Sequence, residues 1–381
     1  MGSIGKLGIG ILAFGGLACG STTVVQVLGG GEGGGTGGES AAGGAMSSAG
    51  GSGGEGGVAQ DVIAVGVPAE HVVPDPLRRL FYATVAGTSP EHGNSLVVVD
   101  ESGAIVSSVY VGSQPSTLAL SDDASTLWIG LVGTASVRRV DVTVTPPVPG
   151  PEHALPSGLG NGAYPGPMVV LPGTTGSVAL SVLRPNYYFS ATMVLDDGVP
   201  RPMKIESSYG PSRLVGGPEG WLFGLNDQHT GLEFYSLEVH EQGLTAHVFE
   251  GLIGDFADIA SAPGWVFSTN GEVIDVGNPL APKKTGSIAF AGDAIFPLDQ
   301  GAELSMLEKT AMVGDVPEED YILRRFHVPT YAPLAELPLR GAEGDRARDL
   351  VSIDESIFAF VSLKSWDDPF ELYVVPHPFG R

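Results

Sequence analysis

The feature that most constrains this fold is a joint that recurs seven times along the chain: a turn rich in Pro, Gly, Asp or Ser, followed by a short apolar strand. The segment "EHVVPDPLRRLFYAT" (70–84) aligns without gaps on "TLALSDDASTLWIGL" (117–131). The apolar strands begin at intervals of 38 to 53 residues, near Leu80, Leu127, Val178, Leu222, Val266, Leu304 and Ile357. Each unit has room for four short strands, and such a period is typical of propellers. The sequence therefore predicts an all-β, seven-bladed β-propeller.

The last unit indicates how the ring closes. It offers three strands, "ARDLVSI", "SIFAFVS" and "FELYVV", whereas "DVIAVG" (61–66) is a spare strand ahead of the first unit. Pairing the spare strand as the outer strand of the last blade would leave no broken edge between first and last blades. We therefore expect residues 61–66 to close the ring, within a propeller domain at 61–381. A pair of β-sandwiches is the alternative all-β architecture, but it does not require seven similar joints.

One stretch carries a family resemblance. The segment "YATV" (82–85) stands where YVTN repeats have Tyr-Val-Thr-Asn, and "VVVD" (97–100), "GSQPSTLALSDDASTLWIG" (112–130) and "VRRVD" (137–141) follow it. Residues 80–142 thus resemble the YVTN family of bacterial surface-layer and lactonase-like propeller repeats. The resemblance covers about two of the seven units. It implies the propeller fold and leaves the activity open.

The N-terminal residues predict an export signal. Lys6 precedes an apolar run at 7–18, which has the length of a signal-peptide core and is too short to span a bilayer as a helix. The segment "GLAC" (16–19) resembles the lipobox of bacterial lipoproteins, which implies a signal peptide at 1–18 and lipid on Cys19. With Gly20 next, the resemblance also implies an extracytoplasmic protein anchored in the outer membrane. An ordinary signal peptide that leaves an unmodified thiol is the alternative.

The segment between the signal and the first strand predicts a tether. Between residues 29 and 57, 16 of 29 residues are Gly. Such a composition has too few apolar side chains to offset the entropy of ordering the chain. We therefore expect a flexible linker at 19–60, with a root-mean-square span of about 30 Å across its Gly-rich part.

Composition excludes several function classes. The chain has 19 basic and 43 acidic residues, a net charge of −24, which argues against nucleic-acid binding because phosphates require a basic surface. The 8 His residues show no metal-ligand spacing, so we predict no zinc or iron centre and no cofactor. A Ca²⁺ site built from carboxylates stays open, since it needs no motif outside the EF-hand type. The single Cys excludes an intrachain disulfide.

Loops that join second to third strands emerge on one face of a propeller, and binding residues commonly gather on such loops. These loops are acidic and aromatic here, which suits recognition of a protein, a polysaccharide or a cation; a solvated face with turn-forming residues is the alternative. The candidate binding residues are Glu91, His92, Tyr187, Tyr188, Asp227, His229, Glu318, Glu319, Asp320, Trp366, Asp367 and Asp368.

The segments that enter each blade point toward the central channel. They supply six candidate channel residues, namely Arg213, Asp255, Asp258, Arg346, Arg348 and Asp349. Converging arginines and carboxylates are able to bind a carboxylate or polarise a lactone carbonyl. The alternative is a set of ion pairs that line a wet channel.

The sequence thus favours a monomeric, membrane-anchored propeller that binds a protein or polysaccharide in the cell envelope. A channel hydrolase or lactonase is the second hypothesis, and no catalytic residue is assigned for it. A structural spacer in the envelope, without a pocket or a preferred ligand, is the third. The hydrolase hypothesis would be favoured if four side chains converged around an empty pocket, namely Arg213, Asp258, Arg346 and Arg348. If these side chains are paired or splayed outwards, the hydrolase hypothesis loses its support.

Overall fold

A computed structural model of the chain describes residues 25–27, 59–185, 188–207, 209–228, 232–254, 256–310, 321–363 and 370–379. The described residues form seven sheets of four or five strands. The innermost strand of each sheet contacts the innermost strand of the next, and the last contacts the first, so that the sheets form a closed ring around a central channel. The predicted all-β, seven-bladed propeller is therefore confirmed.

The blades follow one another in chain order, each built from its inner to its outer strand. Three short strands precede them: β1 (Val25–Val27), β2 (Gln60–Asp61) and β3 (Ile63–Ala64). Blades 1 and 2 contain β4 (Ala69–Asp75), β5 (Leu80–Val85), β6 (Ser95–Asp100), β7 (Ile105–Tyr110), β8 (Pro115–Leu120), β9 (Thr126–Leu131), β10 (Ser136–Asp141) and β11 (Val148–Ala154). Blade 3 contains β12 (Tyr164–Val170), β13 (Ser177–Arg184), β14 (Tyr188–Asp196), β15 (Val199–Pro200) and β16 (Ile205–Glu206).

The remaining blades repeat the pattern. Blades 4 and 5 contain β17 (Arg213–Gly216), β18 (Trp221–Leu225), β19 (Phe234–His240), β20 (Gly243–Phe249), β21 (Ile259–Ala262), β22 (Trp265–Ser268), β23 (Glu272–Asp275) and β24 (Lys283–Ser287). Blades 6 and 7 contain β25 (Ala294–Leu298), β26 (Glu303–Lys309), β27 (Tyr321–His327), β28 (Ala332–Arg340), β29 (Arg346–Ile353), β30 (Ile357–Leu363) and β31 (Phe370–Pro376). Short 3₁₀ helices lie at Val132–Thr134 and Asp299–Gly301, and no helix in the described ranges is long and apolar enough to cross a membrane.

The core lies between neighbouring blades. The second strand of each blade is covered on both faces, which explains why "LFYATV" in β5 and "TLWIGL" in β9 are almost continuously apolar. Trp128 in β9, for example, is fully buried in a cluster formed with β13 and β14 of blade 3. Because each blade buries its apolar surface against its neighbours, the stability of the fold depends on the contacts between blades.

Two strands ahead of the ring join its last two blades. Ile63–Ala64 (β3) pairs antiparallel with β31 as the outer strand of blade 7. Gln60–Asp61 (β2) instead pairs parallel with β28, so that the segment predicted as one strand divides between blades 6 and 7. The chain passes from blade 6 to blade 7 at Val62, whose N–H donates to the carbonyl of Arg340 at 2.9 Å.

Four of the seven inner strands, β4, β8, β12 and β29, contain a β-bulge or a similar shift of register. In β29 the shift falls between Arg348 and Val351, and Asp349 there has a left-handed φ of 55°. A bulge re-aims the side chains beside it. These shifts therefore decide which residues at the start of an inner strand face the channel.

Candidate functional site

The antiparallel order of the strands places two sets of predicted residues on one end of the ring. The beginning of each inner strand and the loop between second and third strands lie on the same end, which we name the upper face. Of the predicted residues, those that the structure describes on this face are Glu91, His92, Tyr188, Asp227, Arg213, Asp258, Arg346, Arg348 and Asp349. The predictions for Cys19, Tyr187, His229, Asp255, Glu318, Glu319, Asp320, Trp366, Asp367 and Asp368 lie outside the described residues.

Arg213, at the start of β17, brings two of the predicted carboxylates together. Its Nε donates to Oδ2 of Asp227 at 2.8 Å and lies 3.8 Å from Oδ1 of Asp258. Asp227 is held in place by the hydroxyl of Ser212. The negative charge of Asp258 raises the pKa of Arg213 above its ordinary value, and Asp227 and Asp349 add to this effect against the opposing effect of burial. The Arg213 side chain is nevertheless 37% exposed, so this cluster is partly open to solvent.

Asp349 forms a second cluster, between blades 7 and 1. Its Oδ2 lies 2.7 Å from Nδ1 of His71 and accepts a hydrogen bond from the N–H of Val72 at 3.3 Å. Burial would raise the pKa of Asp349, but the charge and hydrogen bond of His71 and the charge of Arg348 outweigh it and hold that pKa below its ordinary value. Ionised Asp349 therefore stabilises the contact between the first and last blades.

Acid titration should show this contribution of Asp349. Because its folded-state pKa is lowered, the stabilisation is complete above the unfolded pKa of about 3.9 and is lost as the pH falls through the folded value. The free energy of unfolding of wild type should therefore exceed that of Asp349→Asn most at pH 5, and the difference should shrink toward pH 3. Urea denaturation at pH 5, 4 and 3 measures it. A difference that stays constant over this range would contradict the assignment.

The predicted arginines do not converge on one pocket. Arg348 reaches toward blade 1, where its guanidinium donates to the carbonyl of Glu70. The same guanidinium stacks 3.7 Å from the centre of the Phe370 ring in β31 of its own blade. Arg346 is exposed at the start of β29. Only Arg213 lies in the cluster with Asp227 and Asp258, and the ion-pair interpretation of the channel agrees with these contacts.

Three exposed aromatic side chains lie on the same face of blades 3 to 5 as the Arg213 cluster. Tyr188 begins β14, and Tyr209 and Phe256 lie in the segments that lead into blades 4 and 5; they are 45%, 51% and 69% exposed. Sequence analysis identified Tyr188 but not Tyr209 or Phe256, because the connections between blades vary in length and do not share the repeat. We name Tyr188, Tyr209 and Phe256 the aromatic rim.

Backbone contacts join the aromatic rim to the charged cluster. The N–H of Phe189 donates to Oε1 of Gln228 at 2.7 Å, which ties the start of β14 to the loop that follows Asp227. A side chain at Gly210 would collide with the Phe189 ring, so the segment beside Tyr209 lies directly over blade 3. The rim and the cluster thus form one surface on the upper face of blades 3 to 5. Glu91 and His92 lie on blade 1, away from it.

The central channel contains a cavity of about 670 Å³. Residues from six of the seven inner strands and the turns that follow them line it, among them Asp258 and Asp349 at the upper end. No group of three or more His, Cys, Asp or Glu in the described ranges is arranged to hold a metal ion. Its lining combines apolar side chains with carboxylates.

Comparison with solved structures supports the fold. Over 83% of this chain, the β-propeller domain of Cps50 (Swd1) from Myceliophteria thermophila aligns along 99% of its own length, with a TM-score of 0.60 and 8% identity. U3-55K aligns over 98% of its length with a TM-score of 0.54 and 10% identity, and the WD40 repeats of RRP9 over 97% with 0.57 and 11%. These likenesses show a seven-bladed, WD40-like propeller. No protein-family model and no curated protein sequence matches the chain.

Proposed function

We propose that this protein is a lipid-anchored, extracytoplasmic interaction module that binds a protein partner through the upper face of blades 3 to 5. The observation that carries the proposal is the aromatic rim, three large exposed side chains on the same face of blades 3 to 5 as the Arg213 cluster. Tyr, Phe and Arg are enriched in protein interfaces, and the residues that dominate binding energy are commonly aromatic residues and Arg.

The scaffold supports this use of the surface. Beside Tyr188 and Tyr209 the backbone is held in place, because the N–H of Phe189 donates to Gln228 and Gly210 packs against the Phe189 ring. Side chains on a rigid scaffold lose less entropy when a partner binds than side chains on a mobile loop. The same surface supports a protein partner better than catalysis, because Arg213 is already paired with Asp227 and the other two predicted arginines lie elsewhere.

Anchoring is part of the proposal and rests on the sequence. The lipobox-like segment 16–19 would place lipid on Cys19, and the Gly-rich segment 29–57 would let the propeller reach a partner in the envelope. Several acyl chains provide the stable membrane attachment that one chain does not. Cys19→Ala should therefore release the protein into the soluble extracytoplasmic fraction.

Site-specific photo-crosslinking tests the interaction surface. A photoreactive residue at position 209 or 256 should capture the same defined partner in intact cells. The control position is Leu77, which is 71% exposed on a turn at the opposite face of the ring. Equal capture from position 77, or different proteins from positions 209 and 256, would contradict the proposed surface.

A further inference from the structure

The channel cavity is large enough for a small-molecule ligand. Its volume of about 670 Å³ falls within the usual range of about 300–1,000 Å³ for such pockets. Its walls are mainly aliphatic, with Val169, Val215, Ile259 and Val351 from four different blades, and Phe296 adds an aromatic ring. Moving apolar surface out of water and against these aliphatic walls is favourable, so the cavity favours a ligand with an apolar body.

All charged side chains that line the cavity are acidic, as far as the described residues show. Asp258 and Asp349 lie at the upper end, and Asp299, Asp354 and Glu355 lie at the lower end, where inner strands turn into second strands. No Lys, Arg or His belongs to the described lining. Asp258 lies 3.8 Å from Arg213 and Asp349 lies 2.7 Å from His71, so the negative charge available to a cation with an apolar stem lies at the lower end.

Neighbouring arginines neutralise this charge only in part. Arg79 pairs with Asp354 but also with Glu101. Behind the cavity wall, an Nη of Arg325 lies 3.9 Å from Glu355, and the same side chain pairs with Glu303. Asp299 makes no ion pair with any described residue, although its backbone N–H donates to Glu355 at 2.6 Å. The lower end therefore keeps uncompensated negative charge.

We propose that the central cavity binds an alkylammonium group, with the apolar stem against the aliphatic walls and the ammonium among the carboxylates at the lower end. The ammonium would donate hydrogen bonds to Asp299 and Glu355. The ring of Phe296, which also lines the cavity, offers the ammonium a cation–π contact. A free amphipathic amine and a lysine side chain of a partner share this chemistry. The inference does not depend on the aromatic rim.

Calorimetric titration of the purified protein separates the contribution of ligand charge to binding affinity from that of apolar contact. The probes are octylammonium, octanoate and octanol, which share one tail, and the peptide acetyl-Gly-Lys-Gly-amide. Octylammonium should bind at least tenfold more tightly than octanol, and octanoate should not bind detectably. Binding of the peptide as well would point to a lysine side chain as the natural ligand, and binding of the amine alone would point to a free amine.

A double variant at the lower end locates the binding site. Asp299→Asn with Glu355→Gln keeps the shape of both side chains, and Asn tolerates the left-handed backbone of residue 299, where φ is 44°. Octylammonium affinity should fall about tenfold in this variant. Glu219→Gln, which removes one exposed charge on the same face outside the cavity, should bind as wild type does.

Three results would overturn the inference: no binding of octylammonium, binding of octanoate as tight as that of octylammonium, or an unchanged affinity in the double variant. Phe256→Ala should leave octylammonium affinity unchanged, because Phe256 does not line the cavity. A failure of the cavity proposal is thereby distinguishable from a failure of the interaction surface.

Discussion

Replacing Trp128 by alanine is expected to lower the free energy of unfolding by about 3–5 kcal/mol. Trp128 is fully buried between blades 2 and 3, and its Nε1–H donates to the carbonyl of Thr175 at 3.1 Å. The substitution leaves a cavity between two blades and a carbonyl without its donor. Urea denaturation followed by circular dichroism measures the loss, and Trp128→Phe should lie between alanine and wild type.

The matched control for Trp128 is Tyr110→Ala on the outer strand β7. Tyr110 is 62% exposed, so its removal should change the free energy of unfolding by less than about 0.5 kcal/mol. If Trp128→Ala and Tyr110→Ala lower the free energy of unfolding by similar amounts, the core does not lie between neighbouring blades.

Deleting residues 59–66 from the full chain should have an effect of similar size. The deletion removes β2 and β3, including Ile63 and Val65, which pack against the cluster shared by blades 7 and 1. Burying one such side chain completely contributes about 1.5–3 kcal/mol, and the backbone bond from Val65 N to Leu372 O at 3.0 Å is lost as well. We expect the free energy of unfolding to fall by about 3 kcal/mol, together with aggregation through the newly exposed edge of β31.

The control for ring closure is an internal deletion of the same length, residues 48–55, within the Gly-rich segment. This deletion shortens the chain equally and leaves every described strand of the ring in place, so thermal unfolding should match wild type. If the deletion of 59–66 unfolds at the same temperature as the 48–55 control, the N-terminal strands do not hold the ring together.

The fold was predictable from sequence because each blade carries two local sequence signals, a turn and the apolar strand that follows it. The turn between first and second strands carries Pro, Gly, Asp or Ser, and the second strand is apolar on both faces because it lies between two other blades. The predicted starting positions of these strands, such as Leu80 and Ile357, fall within one residue of the observed strands β5 and β30. Local composition and global packing agree at these positions, which makes the period visible.

The site was less predictable because its side chains depend on irregular backbone. The register shift in β29 sends Arg348 to Glu70, and the left-handed residue Asp349 reaches His71. Neither contact follows from the spacing of residues in the sequence. Tyr209 and Phe256 lie in connections between blades, where no repeat pattern marks a position as exposed or buried. Only the folded ring shows that these connections lie on the same face as Arg213.

The affinity of the photo-crosslinked partner for purified variants of the aromatic rim tests the proposed interaction surface. Tyr209→Ala and Phe256→Ala should each weaken binding by about 10- to 30-fold, as expected for aromatic residues that dominate an interface. Leu77→Ala, on the opposite face, should bind as wild type does. If both rim variants keep wild-type affinity, or if Leu77→Ala weakens binding as much as they do, the upper face of blades 3 to 5 is not the interaction surface.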